Sequence, residues 1–84
     1  MKKYELTSET KIVLGITLYR IKALVSFGFI TKGELGGFIE KEENLKHNGN
    51  AWIFGNAKVF GNAKVSGNAK VFGNAKVSGN AKVF

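Results

Sequence analysis

The chain has 84 residues, with 13 lysines and arginines against 6 acidic residues, and it contains neither cysteine nor proline. This length allows one domain with a small core and disfavours an enzyme with a buried cleft, while the lack of cysteine excludes disulfides and thiolate metal sites. The formal net charge of +7 favours acidic partners, such as nucleic acid or an acidic protein face.

No segment has the pattern of a secretory signal or of a membrane span. The most apolar stretch, residues 12–30, is interrupted by Thr17, Arg20, Lys22 and Ser26. We therefore expect a soluble protein of the cytoplasm that has no membrane partner.

Residues 1–48 differ in composition from the rest of the chain, because all the acidic residues lie here. The pattern predicts a short strand at residues 11–14, with a helix at residues 7–14 as the weaker alternative, and a long strand at residues 16–27. A turn at residues 31–34 and an irregular first coil at residues 37–48 follow. We interpret residues 1–48 as a small N-terminal β module that caps the segment after it.

Residues 49–84 are six hexapeptides, which read GNAWIF, GNAKVF, GNAKVS, GNAKVF, GNAKVS and GNAKVF. So short a fixed period predicts a β-solenoid. Each unit contains a strand and a Gly-Asn corner, where the asparagines are expected to form ladders. Alternation along the strand places alanine and valine inside, because the reverse would bury five lysines. The predicted inward residues are Ala51, Ile53, Ala57, Val59, Ala63, Val65, Ala69, Val71, Ala75, Val77, Ala81 and Val83.

Two coil geometries fit these repeats. Three hexapeptides per coil give a left-handed triangular β-helix, which the spacing of valine and alanine favours. Two per coil give a two-sided coil of twelve residues, which the alternation of outward phenylalanine and serine favours. We predict an all-β fold with the triangular form, continuous between residues 1–48 and 49–84. No cap is predicted at the last coil, so we expect a homo-oligomer through that coil.

Large apolar side chains are predicted on the outside of the repeats. An exposed apolar patch of this size usually marks an interface. Trp52 replaces the lysine of the first repeat, and we expect either that Phe38 or Tyr19 covers it or that it anchors an interface. The predicted interface residues are Trp52, Phe54, Phe60, Phe72 and Phe84.

Five repeat lysines are also predicted on the outside, with no acidic residue among them. Lysines on exposed sheets maintain solubility and discourage edge pairing. Regularly spaced cations also fit a phosphate backbone, and outward phenylalanines fit bases by stacking. The candidate polyanion or partner contacts are Lys58, Lys64, Lys70, Lys76 and Lys82.

The sequence contains no convincing catalytic group. His47 is the only histidine, and left-handed β-helix acyltransferases use a histidine as general base. A general base needs an orienting partner and a substrate pocket, so we expect a solvated loop histidine instead. Glu40, Glu42 and Glu43 are expected to face solvent. We predict a protein without catalytic, cofactor-binding or metal-binding residues.

Several motifs together resemble those of a known family. They are YELT at residues 4–7, LYRIKAL at residues 18–24, GELGGFIE at residues 33–40, ENL at residues 43–45 and GNAW at residues 49–52. Over nearly its whole length the chain is similar to small phage and prophage proteins that join such a module to Gly-Asn-Ala repeats of variable number. The resemblance implies a viral origin and a β-solenoid, and it carries over no functional residue.

Small phage proteins of this kind often bind and block host machinery, including CRISPR defence complexes. We therefore predict a non-enzymatic protein that inhibits or sequesters a host protein or ribonucleoprotein through its phenylalanine and lysine faces. A self-assembling structural β-solenoid is the alternative, and nucleic acid is a further possible partner.

Overall fold

The computed structural model describes residues 2–84, and its regular elements are β-strands joined by turns. Three longer strands come first: β1 (Tyr4–Val13), β2 (Ile16–Ala23) and β3 (Leu35–Ile39). One turn of 3₁₀ helix follows at Glu42–Asn44. Each hexapeptide then contributes a two-residue strand: β4 (Trp52–Ile53), β5 (Lys58–Val59), β6 (Lys64–Val65), β7 (Lys70–Val71), β8 (Lys76–Val77) and β9 (Lys82–Val83). The fold is therefore all-β, as predicted.

Strands β1 and β2 form an antiparallel hairpin. Leu14 and Gly15 make its two-residue turn with φ angles of 53° and 78°, as in the turns whose twist matches that of paired strands. The alternative of a helix at residues 7–14 is wrong, because these residues lie in β1 and its turn. β1 is also longer than the strand predicted at residues 11–14, and β2 ends earlier than residue 27.

A single mixed sheet runs from the hairpin into the repeats, in the order β1-β2-β3-β5-β8. β2 and β3 are antiparallel, whereas β3 and β5 are parallel, with Phe38 opposite Lys58 and Ile39 opposite Val59. Leu45 bridges to Val65 in the same parallel sense. Residues on both sides of position 48 therefore share one hydrogen-bonded sheet.

The strands of the repeats pair with strands three hexapeptides further along the chain. Trp52 lies opposite Lys70, Lys58 opposite Lys76, and Lys64 opposite Lys82, each pair parallel and 18 residues apart. Backbone hydrogen bonds such as Lys58 N–H to Ala75 O at 2.9 Å join them. A coil of twelve residues would pair strands two hexapeptides apart, so this pairing contradicts that alternative. We call residues 49–66 the first layer and residues 67–84 the second layer.

Alanine and valine face inward in the first layer, as predicted, and the burial of these positions falls in the second layer. Val59 and Val65 are fully buried, whereas Val77 and Val83 are only partly buried and Ala75 is exposed. The reason is geometric, because side chains of the second layer contact a neighbouring layer on one side only. The buried inward residues are Ala51, Ile53, Ala57, Val59, Ala63, Val65 and Val71.

The predicted ladder of asparagine side chains at the corners is wrong. The repeat asparagines are exposed, and the corners are joined by backbone groups instead. Asn50 N–H donates to Gly67 O at 3.0 Å, and Asn62 N–H donates to Gly79 O at 2.9 Å. Backbone bonds of this kind need no side chain, so an asparagine in every repeat is not required for layer pairing.

Asn44, which precedes the repeats, is the asparagine that the fold buries. Its Oδ1 accepts the N–H groups of Glu40 and Lys41 at 3.0 and 2.9 Å. Its Nδ2 donates to Gly61 O at 3.2 Å and to Ala63 O at 2.8 Å. These four bonds satisfy the amide and fix the 3₁₀ turn on the first layer, since an unpaired buried amide would be costly.

We predict that Gly37→Ala lowers the free energy of unfolding by about 3 kcal/mol, because a side chain there overpacks the core. A Cβ at this position would lie 2.5 Å from Ile53 Cγ2 and 2.6 Å from Ala57 O. Gly73→Ala is the control, since it has φ +65° and open space around it. The control is expected to lose only about 1 kcal/mol, from backbone strain. Equal losses in urea denaturation would contradict the close packing of β3.

Candidate binding surfaces

Trp52 is fully buried, so it is not available on the surface as an interface anchor. It is covered by the N-terminal residues, as expected, but its aromatic neighbours are Tyr4 and Phe27 rather than Phe38 or Tyr19. The ring centroids lie 6.3 Å from Tyr4 and 5.4 Å from Phe27, both edge to face. Within residues 2–84 its Nε1 has no hydrogen-bond partner, which shows that packing dominates at this site.

Phe60 is also buried, which contradicts its predicted exposure. It packs with Leu18 and Phe38 in a second apolar cluster, beside Val13 and Ile16 of the hairpin. The hairpin thus lies over the outward face of the first layer. Leu18, expected on a partly solvated face, is buried for the same reason.

Three phenylalanines of the repeats keep an exposed or partly exposed side chain. Phe54 and Phe72 are 18 residues apart and stack, with ring centroids 4.8 Å apart and planes inclined by 16°. Phe72 is 58% exposed, and Phe84, which follows β9, is 85% exposed. The structure therefore brings Phe54 and Phe72 together.

An open cleft of about 230 Å³ lies beside Phe54. Phe29, which the sequence interpretation missed, forms part of its wall and is 90% exposed. It stands on a turn closed by two backbone bonds between Phe27 and Ile30, of 3.0 and 2.7 Å. A glycine at position 28 between apolar residues is the signal for this turn. The cleft is lined by Gly28, Phe29, Ile30, Asn50, Phe54, Asn68 and Lys70.

The repeat lysines form pairs across the layers. Lys58 lies opposite Lys76, and Lys64 lies opposite Lys82. Burial, followed by the charges of Lys11 and Lys76, lowers the pKa of Lys58. Lys11 comes from β1, so the hairpin adds a third cation to this pair, a contact that the repeat pattern could not reveal.

Lys70 differs from the other repeat lysines, because it lies opposite Trp52 rather than another lysine. Its Nζ lies 5.3 Å from the centroid of the Phe29 ring. At this distance an ammonium group and an aromatic face attract each other. Lys70 therefore joins the aromatic wall of the cleft.

His47 is half-buried in a cluster with defined contacts, so the expectation of a solvated loop histidine is wrong. Its Nε2 lies 3.0 Å from Glu42 Oε1, and its Nδ1 accepts the backbone N–H of Lys3 at 3.1 Å. Its ring stacks on Tyr4 with a centroid distance of 4.2 Å. The hydrogen bond from His47, followed by the charge and hydrogen bond of Lys2, lowers the pKa of the Glu42 carboxyl.

Both ring nitrogens of His47 are engaged by protein groups. An Nδ1 that accepts from Lys3 leaves the proton of the neutral ring on Nε2, where it is donated to Glu42. No ring nitrogen then points to open space as a general base. The cluster instead ties the start of β1 to the 3₁₀ turn, together with the Tyr4 hydroxyl, which donates to Glu42 O and Leu45 O.

Lys3 is buried, which its position in a charged N-terminal sequence did not indicate. Its Nζ donates to Ala51 O at 2.8 Å and to Gly49 O at 3.2 Å, and lies 4.7 Å from the centroid of the Phe27 ring. Burial lowers the pKa of Lys3 to about 8. The ammonium group thus ties the start of the chain to the first hexapeptide.

No family model matches the chain, and a search of curated proteins finds no sequence match. Within residues 2–84, no group of three or more acidic or histidine side chains has an arrangement that holds a metal ion. The same residues contain no helix of the length and apolar character needed to cross a bilayer.

We predict that the free energy of unfolding rises by about 1 kcal/mol between pH 8 and pH 10, and that Lys3→Met removes this rise. The pKa of Lys3 is about 8 when folded and 10.5 ordinarily, so the unfolded chain binds more protons in this range. Lys32→Met, on an exposed turn, is the control. An unchanged rise in Lys3→Met, measured by urea denaturation at each pH, would contradict the burial of the ammonium group.

The range is limited at its upper end by Tyr4. Burial, followed by the charges of Glu42 and Glu43, raises the pKa of the Tyr4 phenol. A raised pKa means that stability is lost as the pH rises above the ordinary phenol value near 10, the opposite direction to Lys3. Stability is therefore expected to be highest near pH 10.

Proposed function

We propose that this protein is a short β-solenoid, a left-handed triangular β-helix capped by residues 1–48, and that it is a non-enzymatic binding protein of a phage or prophage. The pairing of strands 18 residues apart supports three hexapeptides per coil. The placement of valine and alanine on the inside supports the same geometry. The motifs that resemble small phage proteins support the origin.

The stack of Phe54 on Phe72 is the observation that carries the binding function. Two phenylalanines in contact, with Phe72 more than half exposed and Phe29 nearby, leave an aromatic surface in water. Exposed apolar surface of this kind is typical of an interface. The lysines around it carry no acidic residue of their own repeats, so a partner with acidic groups fits best.

The partner that we propose is a protein or ribonucleoprotein of the bacterial host. Binding to it would inhibit or sequester it in the cytoplasm of an infected or lysogenic cell, as anti-CRISPR proteins do with defence complexes. His47, the residue closest to a catalytic group, is engaged at both ring nitrogens, which supports binding rather than catalysis.

We predict that tagged protein retains a specific host protein from a nuclease-treated bacterial lysate. The double variant Phe54→Ser/Phe72→Ser is expected to retain roughly tenfold less of it, because aromatic anchors dominate interface energy. Serine occupies the same position of other repeats, so these changes suit the fold. Phe84→Ser is the matched control. No retained protein, or equal retention by all variants, would contradict a binding function at this surface.

Self-assembly is the second candidate function, and the edges of the second layer favour it. Within residues 2–84, strands β7, β8 and β9 are paired on one edge only. Ala75 and Ala81, which face inward in the pattern, are exposed there. Unpaired strand edges beside exposed apolar side chains are templates for association with another chain.

If self-assembly is correct, the average mass of this 84-residue chain in light scattering rises above that of a monomer as its concentration increases. Ala81→Lys is expected to suppress the rise, because it places a charge on the exposed inner face of the second layer. Asn80→Lys adds the same charge at the neighbouring corner and is the control. A constant monomer mass up to high concentration would refute this candidate.

A further inference from the structure

We propose that the cleft between Phe29 and Phe54 binds single-stranded nucleic acid, with one base against the aromatic wall and a phosphate at Lys70. The inference rests on the proposed binding function and names the partner's chemistry: an exposed single strand, such as a ribonucleoprotein presents. Three observations lead to it, which concern the walls of the cleft, its polar lining and its charge.

The walls are aromatic and held in place. Phe29 is fixed on a turn by the two backbone bonds between Phe27 and Ile30, and yet its ring is almost fully exposed. Phe54 is supported from behind by Phe72, with which it stacks. Stacking on rings that are already ordered loses little conformational entropy, so such rings suit the faces of bases.

The size of the cleft favours a small planar group. Its volume of about 230 Å³ lies below the ~300–1,000 Å³ typical of sites for drug-sized ligands. The same walls are open to solvent, so a chain can enter and leave along the surface. One base of a flexible strand therefore fits better than a folded element of a protein.

The polar lining is suited to the edge of a base. Asn50 and Asn68 occupy the same corner in the two layers, and both line the cleft. Each amide offers two N–H donors and a carbonyl acceptor, which match the mixed donors and acceptors of any base. We therefore expect weak sequence preference, since stacking and amide contacts are available to all bases.

The charge favours an anion. Lys70 places its ammonium beside the Phe29 ring, and the described residues that line the cleft include no acidic one. The strands that follow β4 and β7 carry Lys58 and Lys76, which lie opposite each other. A strand with its base in the cleft has neighbouring phosphates for these lysines, and release of their counterions makes binding dependent on salt.

The test is fluorescence anisotropy with labelled twelve-nucleotide oligomers of thymidine and of uridine, and with an abasic oligomer of the same length and charge. We expect the base-containing oligomers to bind at low salt and the abasic one to bind about tenfold more weakly. Phe29→Ala and Lys70→Gln are each expected to weaken binding of the base-containing oligomers by about fivefold or more. The fluorescence of buried Trp52 verifies that each variant is folded.

Two matched controls separate this cleft from the general basic surface. Phe84→Ala removes an equally exposed phenylalanine elsewhere, and Lys82→Gln removes an equivalent repeat lysine on another strand pair. Both are expected to change affinity less than twofold, within the range of a single distant charge. Equal losses in the controls, or equal binding of the abasic oligomer, would overturn the proposal.

Failure here is distinguishable from failure of the proposed function. If no oligomer binds but a host protein is still retained through Phe54 and Phe72, the partner is a protein and the nucleic-acid inference is wrong. If an acidic peptide of equal charge competes as well as the oligomer does, the cleft recognises charge alone and the inference is also wrong. If nothing is retained in either experiment, the binding function itself fails.

Discussion

The parallel pairing of β3 with β5 is the interaction on which the rest of the structure depends. A two-residue strand is too short to be stable alone, so the repeats need a longer strand as a template. β3 supplies it, with Ile39 beside Val59, and Asn44 continues the contact around the next corner. Gly36 and Gly37 allow the close approach, because a Cβ at either would meet the core at less than 3 Å.

The hairpin of β1 and β2 then decides which repeat side chains remain in water. Trp52 and Phe60 lie at outward positions of the first layer, and the N-terminal residues bury both. Lys3 and His47 fix this arrangement through hydrogen bonds to the loop before the repeats. The N-terminal module therefore selects the free surface, and the phenylalanines that it leaves uncovered are those that can contact a partner.

The spacing of the layers turns a simple alternation into a local feature. Phenylalanine and serine alternate every six residues, but contacts form every 18, so partners in neighbouring layers are not alike in every pair. Only where the irregular first repeat supplies Phe54 do two phenylalanines meet, at Phe72. The one aromatic stack thus lies beside the turn that carries Phe29, and the candidate cleft results from this coincidence of repeat register and N-terminal structure.

The sequence by itself determined the hexapeptide period, the positions of the repeat strands and the inward placement of alanine and valine, because alternation in so short a unit has one arrangement that keeps lysine in water. It did not determine the exposure of Trp52 and Phe60, the burial of Lys3, or the cleft beside Phe29. Those depend on where the hairpin and the turn at Gly28 lie against the first layer. Such contacts join residues far apart in the chain, and no local pattern records them; only the tertiary structure decided them.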